Sequence, residues 1–494
     1  MARTYRLAPQ DRTGVWLGLT AGQLAVALTG VIGGIVLVNA RVKAPIGIAV
    51  MGAGLAVALG RWGGRPLIEG IPDLTRIARQ RFRPSRSRWL APLDPIGIKL
   101  PGVLKNQDVL AVERVAFGQA GYADSAAVVH DSRSGTWAAT LRVEGRQFTL
   151  ASPEDQERML SLWGDALAPF SRERSPITWV RWSEWAAPAG IEAQQAWFAE
   201  HVAVAEDDTA RRSYEQLLAE AGPLATRHEI LVTIAVDQRR CTQRKGIRAQ
   251  DTAIETLGAE VRLFSGRLQG AGLTVAGPLS PRQLGQAVAV RFDPTRVAGL
   301  DARGRRLGER AGLVAPESMG PLNAEASARS WRTDDSFHRG FWVSEWPRSE
   351  VGPEWLAQLM LFAGHVRNIS VFLEPVAPSA SRRAIERQAA KLDSDADQRT
   401  RTGFRVGAAH RRQREAVEER ESEIVAGYSE QSYAGVVDVC ASTPEALDEA
   451  SAELCQAAAS CGIELRPLHW RHDQAAAACL PLAWGLKSKR GILS

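Results

Sequence analysis

The chain has 494 residues, too many for a single hydrophobic core, and this length predicts roughly two to four domains. Hydrophobic residues make up 45% of the chain and charged residues 23%, which is ordinary for globular protein. The formal net charge of +6 is small for this length, so the whole molecule is not a polycation. The five cysteines are an odd number without CxxC spacing, which argues against a disulfide framework and suits a reducing cytosol.

Two uncharged stretches near the N-terminus predict a pair of transmembrane helices. The first runs from Gly14 to Ala40, long enough to cross a hydrocarbon core of ~30 Å, and the second, at 44–60, just spans it. A signal peptide is disfavoured because a second apolar run follows at once and no convincing cleavage site is present. A buried core helix is the other alternative. Small residues at helical spacing predict where the two helices touch, namely at Gly30, Gly34, Gly54 and Ala58.

The basic residues predict the topology of this hairpin. Arg3, Arg6 and Arg12 precede the first helix, only Arg41 and Lys43 lie between the helices, and a dense arginine segment follows the second. This bias places both termini and the main body in the cytoplasm, on a multi-pass protein of the cytoplasmic membrane. We expect the arginine segment to lie on anionic lipid, with nucleic acid contact as the less favoured reading. Its members are Arg76, Arg79, Arg81, Arg83, Arg86 and Arg88.

Two short motifs flank the predicted hairpin. Gly-Leu-Thr-x-x-Gln-Leu occupies 18–24, and Gly-Arg-Pro-Leu occupies 64–67, followed by a basic stretch that ends near Trp89. With these motifs, residues 1–95 resemble the PrgI family of small two-helix membrane proteins from Gram-positive conjugation systems. The resemblance implies that this region is a transmembrane hairpin with a basic juxtamembrane segment.

The residues after the hairpin predict an α/β body with two subdomains. The first subdomain is placed at 96–300, a flexible loop at 301–330, the second subdomain at 331–485 and a C-terminal tail at 486–494. A β-hairpin is predicted at 136–150, and Ser152-Pro153 marks the capped start of a helix. Other strands are predicted at 177–185, 229–237, 341–347, 367–376, 435–442 and 462–470. Other helices are predicted at 214–220, 249–271 and 353–365, after Ser280-Pro281 and from Thr443, with a long charged helical arm at 380–427.

The order of these elements carries a second resemblance. Tyr214, Leu217 and Leu218 precede one apolar strand, and a Trp346-Pro347 step precedes another. In this order, residues 100–485 resemble the N-terminal, non-motor half of TraC-type ATPases of conjugative secretion. In that family the motor domain follows a Leu-Pro-Leu-Gly-like passage, and this chain ends on a similar one. No G-x-x-x-x-G-K-[ST] loop is present, so the resemblance implies a hairpin fused to a half without a motor.

The apolar C-terminal passage predicts a docking surface. If the motor domain is a separate chain, the surface that joins it must hold without a covalent link. We therefore expect an exposed apolar patch near the C-terminus. The alternative is that the same side chains fold back onto their own domain. The residues of the predicted patch are Leu480, Leu482, Trp484 and Leu486.

The sequence holds no recognised catalytic or metal-binding motif. G-x-S-x-G, HExxH, paired CxxC and EF-hand patterns are all missing. His469, His472 and Cys479 fit no standard zinc spacing and lack a fourth ligand. We therefore predict no catalytic residue, no metal and no cofactor. The many tryptophans, Trp163 and Trp346 among them, are expected to pack in the core or at interfaces rather than stack on bases.

Taken together, these patterns predict a non-enzymatic inner-membrane component of an actinobacterial, type IV secretion-like conjugative machine. It would dock a separate ATPase that carries the motor domain, beside other channel subunits and further copies of itself. The alternative is a type VII secretion subunit resembling EccE, which also has two membrane helices before a cytosolic α/β domain. An enzyme with an unrecognised site is disfavoured because catalytic residue types do not cluster.

Overall fold

The structure is a computed structural model. It describes residues 21–39, 44–62, 65–66, 88–92, 97–119, 124–145, 148–189, 191–221, 225–243, 246–362, 364–401 and 407–486. These residues belong to two compact units that divide between Arg88 and Trp89.

The N-terminal unit is a pair of antiparallel helices, α1 (Ala21–Asn39) and α2 (Ala44–Leu59). Two short strands follow, β1 (Arg61–Trp62) and β2 (Arg65–Pro66), and they pair with each other. Neither helix has a charged residue, because both lie within the uncharged stretches of the sequence. Large apolar side chains of both helices are exposed, Ile32 and Ile48 among them.

Small residues allow α1 and α2 to approach closely. A Cβ atom built on Gly30 would lie 2.8 Å from the Cα atom of Gly54, and one built on Gly34 would lie 2.7 Å from a carbonyl oxygen of α2. Ala58 is buried, and its carbonyl oxygen accepts a 2.9 Å hydrogen bond from the side-chain amide of Gln23. The structure therefore places Gly30, Gly34, Gly54 and Ala58 in the contact between the two helices.

The prediction of a transmembrane hairpin is wrong. No helix in the part of the chain that the structure describes is both long and apolar enough to cross a membrane. The 16 residues of α2 extend about 24 Å at about 1.5 Å per residue, short of a hydrocarbon core of about 30 Å. In α1, the buried amide of Gln23 lies near the start of the helix. The assignment to the cytoplasmic membrane as a two-span protein is contradicted by the same finding.

The predicted arginine segment lies almost wholly outside the described residues. This applies to Arg76, Arg79, Arg81, Arg83 and Arg86. Arg88 is described: its side chain is exposed, and it begins the strand Arg88–Leu90.

The second unit, called the body below, combines one large sheet with helices. Its strands β3 to β15 are Arg88–Leu90, Gln107–Val112, Ala126–Asp131, Thr136–Glu144, Ile177–Pro188, Thr226–Asp237, Thr274–Pro278, Asn323–Ala326, Trp331–Thr333, Ser336–Glu345, Val366–Pro375, Gln431–Ala441 and Glu464–Pro467. Its helices α3 to α14 are Pro153–Leu167, Glu192–His201, Thr209–Ala221, Ala249–Gly270, Pro281–Phe292, Arg296–Leu307, Glu309–Gly312, Ala357–Met360, Pro378–Arg401, Ala408–Val425, Pro444–Ser460 and His472–Cys479.

The strands form one 13-stranded sheet. Its order is β3-β10-β11-β12-β14-β13-β7-β8-β6-β5-β4, with β15 beside β12 and β9 beside β6. The pairings among β4 to β15 are antiparallel. Ser183 of β7 pairs with Ser370 of β13 at the centre of the sheet. Alternation of strands and helices along the chain therefore produces an α/β body with an antiparallel sheet.

The sheet consists of two copies of one folding pattern. From the central pair β7 and β13 outward, β8 corresponds to β14, β6 to β12, β5 to β11 and β4 to β10. Strand β6 pairs with β5, β8 and β9, and β12 pairs in the same way with β11, β14 and β15. A helical hairpin lies between β7 and β8, and another lies between β13 and β14. The body is therefore an internal repeat with an approximate two-fold relation between β7 and β13.

The repeats replace the two predicted subdomains. Their central strands pair along most of their length, so both halves share one sheet and one compact unit. The predicted flexible loop at 301–330 contains most of α8, all of α9 and strand β10. Helices α8 and α9 connect the two repeats.

Most elements with strong local signals are confirmed. Ser152 caps α3 by accepting a 3.2 Å hydrogen bond from the Asp155 amide, and Ser280 and Gln283 form a capping box at α7. The predicted hairpin at 136–150 is wrong, because only Thr136–Glu144 forms a strand and Phe148–Leu150 form a 3-10 turn. The helix predicted at 353–365 is reduced to the single turn α10. The charged arm is the helical pair α11 and α12, joined by a small apolar cluster.

Candidate functional site

An apolar cavity of about 670 Å³ lies over the centre of the sheet. Its floor is formed by side chains of the four central strands, namely Trp182, Ile230, Val232, Val371, Leu373 and Tyr433. Helix α3 forms one wall with Met159, Leu160, Leu162 and Trp163. The segment after β12 forms the opposite wall with Trp346, Trp355 and Leu356. Its size and apolar lining are typical of binding sites.

The unequal lengths of two corresponding helices explain why this space is open. In the first repeat, α3 has 15 residues between β6 and β7. In the second repeat, α10 has 4 residues between β12 and β13. The second wall is therefore mostly loop, and it meets α3 through a 2.7 Å hydrogen bond from the Gln156 amide to the Glu354 carboxylate.

Few polar groups line the cavity. Arg158 is the one charged side chain among the described lining residues, and its guanidinium forms a 2.8 Å ion pair with Asp155. The indole Nε1 of Trp346 is buried and has no hydrogen-bond partner in the described part of the chain. The Trp346 ring packs edge-on against Trp355 and Tyr433, with centroid distances of 6.3 and 5.3 Å. An apolar ligand surface would match this arrangement.

The residues predicted to form a C-terminal docking patch are mostly buried. Leu480, Leu482 and Leu486 have at most 8% of their surface exposed, and Trp484 is half-buried. Gly485 lies against Trp179, so closely that a Cβ atom built on it would be 2.2 Å from the indole nitrogen. The segment folds back onto its own domain, as in the alternative interpretation. These leucines are therefore not available as an exposed docking surface.

Three buried side chains hold this C-terminal segment. Arg181 of β7 donates 3.2 Å hydrogen bonds to the carbonyl oxygens of Ala478 and Leu482. Asn368 of β13 donates to the carbonyl oxygen of Cys479, and Gln107 of β4 accepts a hydrogen bond from the backbone amide of Ala483. The segment is thus tied to central strands of both repeats.

Arg181 is fully buried and stays charged. Burial lowers the pKa of its guanidinium to about 9, still above neutral pH. The guanidinium lies beside the rings of Trp179 and Phe372, at 5.4 and 5.5 Å from their centroids. Thr233 accepts a further 3.2 Å hydrogen bond from it. These contacts make the guanidinium a structural group that connects sheet and C-terminus.

A buried Cys-His-Asp arrangement in the second repeat has the order of a nucleophilic triad. His338 Nδ1 lies 2.8 Å from the Asp438 carboxylate, and its Nε2 lies 3.8 Å from Cys440 Sγ. However, Nε2 also lies 2.9 Å from the Phe292 carbonyl oxygen, which can only accept a hydrogen bond. Both ring nitrogens therefore donate, and no lone pair is left to take a thiol proton. The arrangement is a structural ion pair.

The two histidines considered as metal ligands lie together at the start of α14. Nitrogens of His469 and His472 lie 3.3 and 3.2 Å from one carbonyl oxygen, that of Ala328. Nδ1 of His472 also accepts a hydrogen bond from the backbone amide of Gly340. Cys479 instead lies against the Asn368 carbonyl oxygen. The three residues do not converge on one point.

We expect His472 to lower the stability of the body as the pH falls from 6.5 to 4. Burial lowers the pKa of His472 to about 4, and the Gly340 amide occupies its acceptor nitrogen. In the unfolded chain this imidazole takes up a proton near pH 6.5. The free energy of unfolding is therefore lowered by about 3 kcal/mol once the pH is below 4. His472→Gln should reduce this slope in urea unfolding at pH 6.5, 5 and 4. The exposed His201→Gln control should keep the wild-type slope, and equal slopes in all three proteins would contradict the assignment.

Sequence analysis did not find the cavity. Trp163, Trp182, Trp346 and Trp355 were visible as tryptophans of predicted strands and helices, but their convergence depends on strand order. The one available signal was the density of tryptophan in two segments distant in sequence. A scan against models of protein families and a search of curated proteins both find no match to this chain.

Proposed function

We propose that this chain is a non-enzymatic docking component of a type IV secretion-like conjugative machine, and that it holds a separate ATPase. The proposal keeps the function implied by the resemblance of the body to the TraC-type ATPases and omits the membrane anchor. The observation that carries the docking role is the tryptophan-lined cavity over the sheet centre. Such clusters of aromatic side chains act as anchors in protein interfaces.

The cavity replaces the C-terminal patch as the docking surface. The leucines of that patch are buried, whereas Trp346, Trp355 and Leu373 line an open space. A cavity of this kind suits apolar side chains of a partner chain. Two buried polar groups are engaged within the fold, Arg181 with backbone carbonyl oxygens and His338 with Asp438.

We also propose contacts with other channel subunits and further copies of the chain. The support is the exposed apolar surface of α1 and α2, which includes Leu28, Ile32, Ile48 and Leu59. Exposed apolar side chains in this number mark contact surfaces in proteins. The type VII alternative and the PrgI resemblance both depend on two membrane helices, so the type IV proposal rests on the resemblance of the body to the TraC-type ATPases.

Leu373→Arg tests the docking role. Leu373 lies half-buried on the cavity floor, so a charged side chain there should weaken capture of the ATPase by about 2 kcal/mol, or about thirtyfold. The measurement is affinity purification of the tagged full chain from its host, followed by mass spectrometry for a protein with a phosphate-binding loop.

The matched control is Leu263→Arg on α6, because Leu263 is 57% exposed and does not line the cavity. It should retain the ATPase at the wild-type level. Thermal unfolding of both variants shows whether the body still folds. Equal ATPase recovery with both variants, or none with the wild-type chain, contradicts the docking role.

A further inference from the structure

A small polar pocket lies between side chains of α7, β13, β14 and α14. Its volume is about 10 Å³, and its lining includes Arg291, Asn368, Asp438 and Ala476. Each of these four residues has at most 6% of its surface exposed, so the pocket lies in the interior of the body. We infer that the polar pocket binds one water molecule, which joins α7 of the first repeat to β13 and β14 of the second.

Two side-chain oxygens of the lining residues supply hydrogen-bond acceptors. Asp438 contacts His338 through Oδ2, and its Oδ1 is buried without a hydrogen-bond partner in the described part of the chain. Asp438 is the anion of that ion pair, so Oδ1 can only accept. The Asn368 side chain is oriented by its Nδ2, which donates a 2.9 Å hydrogen bond to the Cys479 carbonyl oxygen. Its Oδ1 is therefore the atom left without a partner among the described residues.

Arg291 supplies the donors. Its Nη1 donates to the Glu229 carboxylate and to the Ala287 carbonyl oxygen, at 2.8 and 2.9 Å. Its Nε and Nη2 are buried and have no hydrogen-bond partner within the described residues.

Two opposite charges thus line one pocket without direct contact. Among the described residues Arg291 forms its ion pair with Glu229, Asp438 forms its ion pair with His338, and the two form none with each other. Buried polar atoms left unpaired are costly, and a water molecule that bridges them removes that cost. The bridge would connect the ion pair of one repeat with that of the other.

The balance of donors and acceptors selects the ligand. A water molecule donates two hydrogen bonds and accepts two, which matches the two unpaired oxygens and the two unpaired nitrogens. A chloride ion would be repelled by the Asp438 carboxylate, and a cation would be repelled by the Arg291 guanidinium. The volume of the pocket also meets the minimum of about 10–15 Å³ that one water molecule needs.

The first test counts long-lived internal water molecules in the full chain by magnetic relaxation dispersion of the water oxygen. Ala476→Ser adds a hydroxyl group to a residue that lines the pocket and should displace the bound water. Ala478→Ser is the matched control, because Ala478 is a buried alanine of the same helix that does not line the pocket. Thermal unfolding shows whether both variants fold.

We expect one long-lived water fewer in Ala476→Ser than in the wild type, and no difference between Ala478→Ser and the wild type. Equal counts in three folded proteins would overturn the inference.

A high-resolution crystal structure of the wild-type chain is the second test, and it decides the matter if Ala476→Ser does not fold. It should show one density peak at about 2.7–3.2 Å from Asp438 Oδ1, Asn368 Oδ1 and a nitrogen of Arg291. An empty pocket, or direct contact between Arg291 and Asp438, would contradict the water site. An anomalous signal at the peak after a bromide soak would replace the water with an anion.

Discussion

Replacement of Arg181 with alanine is expected to lower the free energy of unfolding by about 4 kcal/mol. The change removes a fully buried side chain, which costs about 2–5 kcal/mol when the space cannot close. It also leaves the carbonyl oxygens of Ala478 and Leu482 without their donor, at about 1–3 kcal/mol each. Part of this loss is offset because a charge no longer has to be buried. Urea unfolding of the full chain at pH 7 measures the difference.

Arg181→Met separates packing from hydrogen bonding. Methionine fills most of the space and removes the buried charge, but it cannot donate to the two carbonyl oxygens, so we expect a smaller loss of about 1–2 kcal/mol. The exposed Arg158→Ala control should stay within about 0.5 kcal/mol of the wild type.

In Arg181→Ala we also expect early proteolysis within residues 478–486, because that segment loses two of its hydrogen bonds. Wild-type stability of Arg181→Ala would show that this contact does not hold the C-terminus.

Asp438→Ala is expected to lower the free energy of unfolding by about 3–5 kcal/mol at pH 6. Asp438 and His338 are both buried, and removal of the carboxylate leaves the imidazolium without its counter-charge. Burial by itself would lower the pKa of His338, but Cys440 and Asp438 beside it raise that pKa well above 6.5. The folded protein therefore keeps a proton that the unfolded chain releases.

The pH dependence identifies the ion pair. Because the pKa of His338 is higher in the folded state, its stabilising contribution is complete below pH 6.5 and is lost as the pH rises through the folded-state value. Asp438→Asn keeps an oxygen that accepts from Nδ1 but removes the charge, so it should lose less stability than Asp438→Ala and flatten the wild-type decline above pH 6.5. Urea unfolding between pH 6 and 9 provides the comparison. A decline in Asp438→Asn as steep as in the wild type would place the titrating group elsewhere.

Local signals in the sequence were sufficient for most single elements of the body. Ser152-Pro153 before α3, Ser280-Pro281 before α7 and Thr443-Pro444 before α13 each start a helix where predicted. Their capping hydrogen bonds join residues three apart, so a short stretch of sequence contains everything that decides them. The central strands β7, β8, β13 and β14 were recognisable from apolar or alternating runs for the same reason.

Local signals failed where the length of a helix or a contact between distant residues decides the outcome. The uncharged N-terminal stretches are as apolar as the sequence indicated, but a span also depends on helix length, and α2 has only 16 residues. The C-terminal leucines are apolar in either interpretation. Their burial was decided by Arg181 and Gln107, which precede them by hundreds of residues.

The sequence by itself determined most of the helices and strands of the body, because capping and periodicity act within a few residues. The tertiary structure alone decided the order of the strands, and with it the internal repeat. Corresponding strands share few residue types, as in Thr136-Trp137-Ala138 of β6 and Ser336-Phe337-His338 of β12. The repeat is therefore visible in which strands pair and in the register of that pairing, and not in the amino-acid sequence. The cavity has the same origin. Its tryptophans come from both repeats, and they meet because β7 pairs with β13 while α10 is too short to cover the sheet beside them.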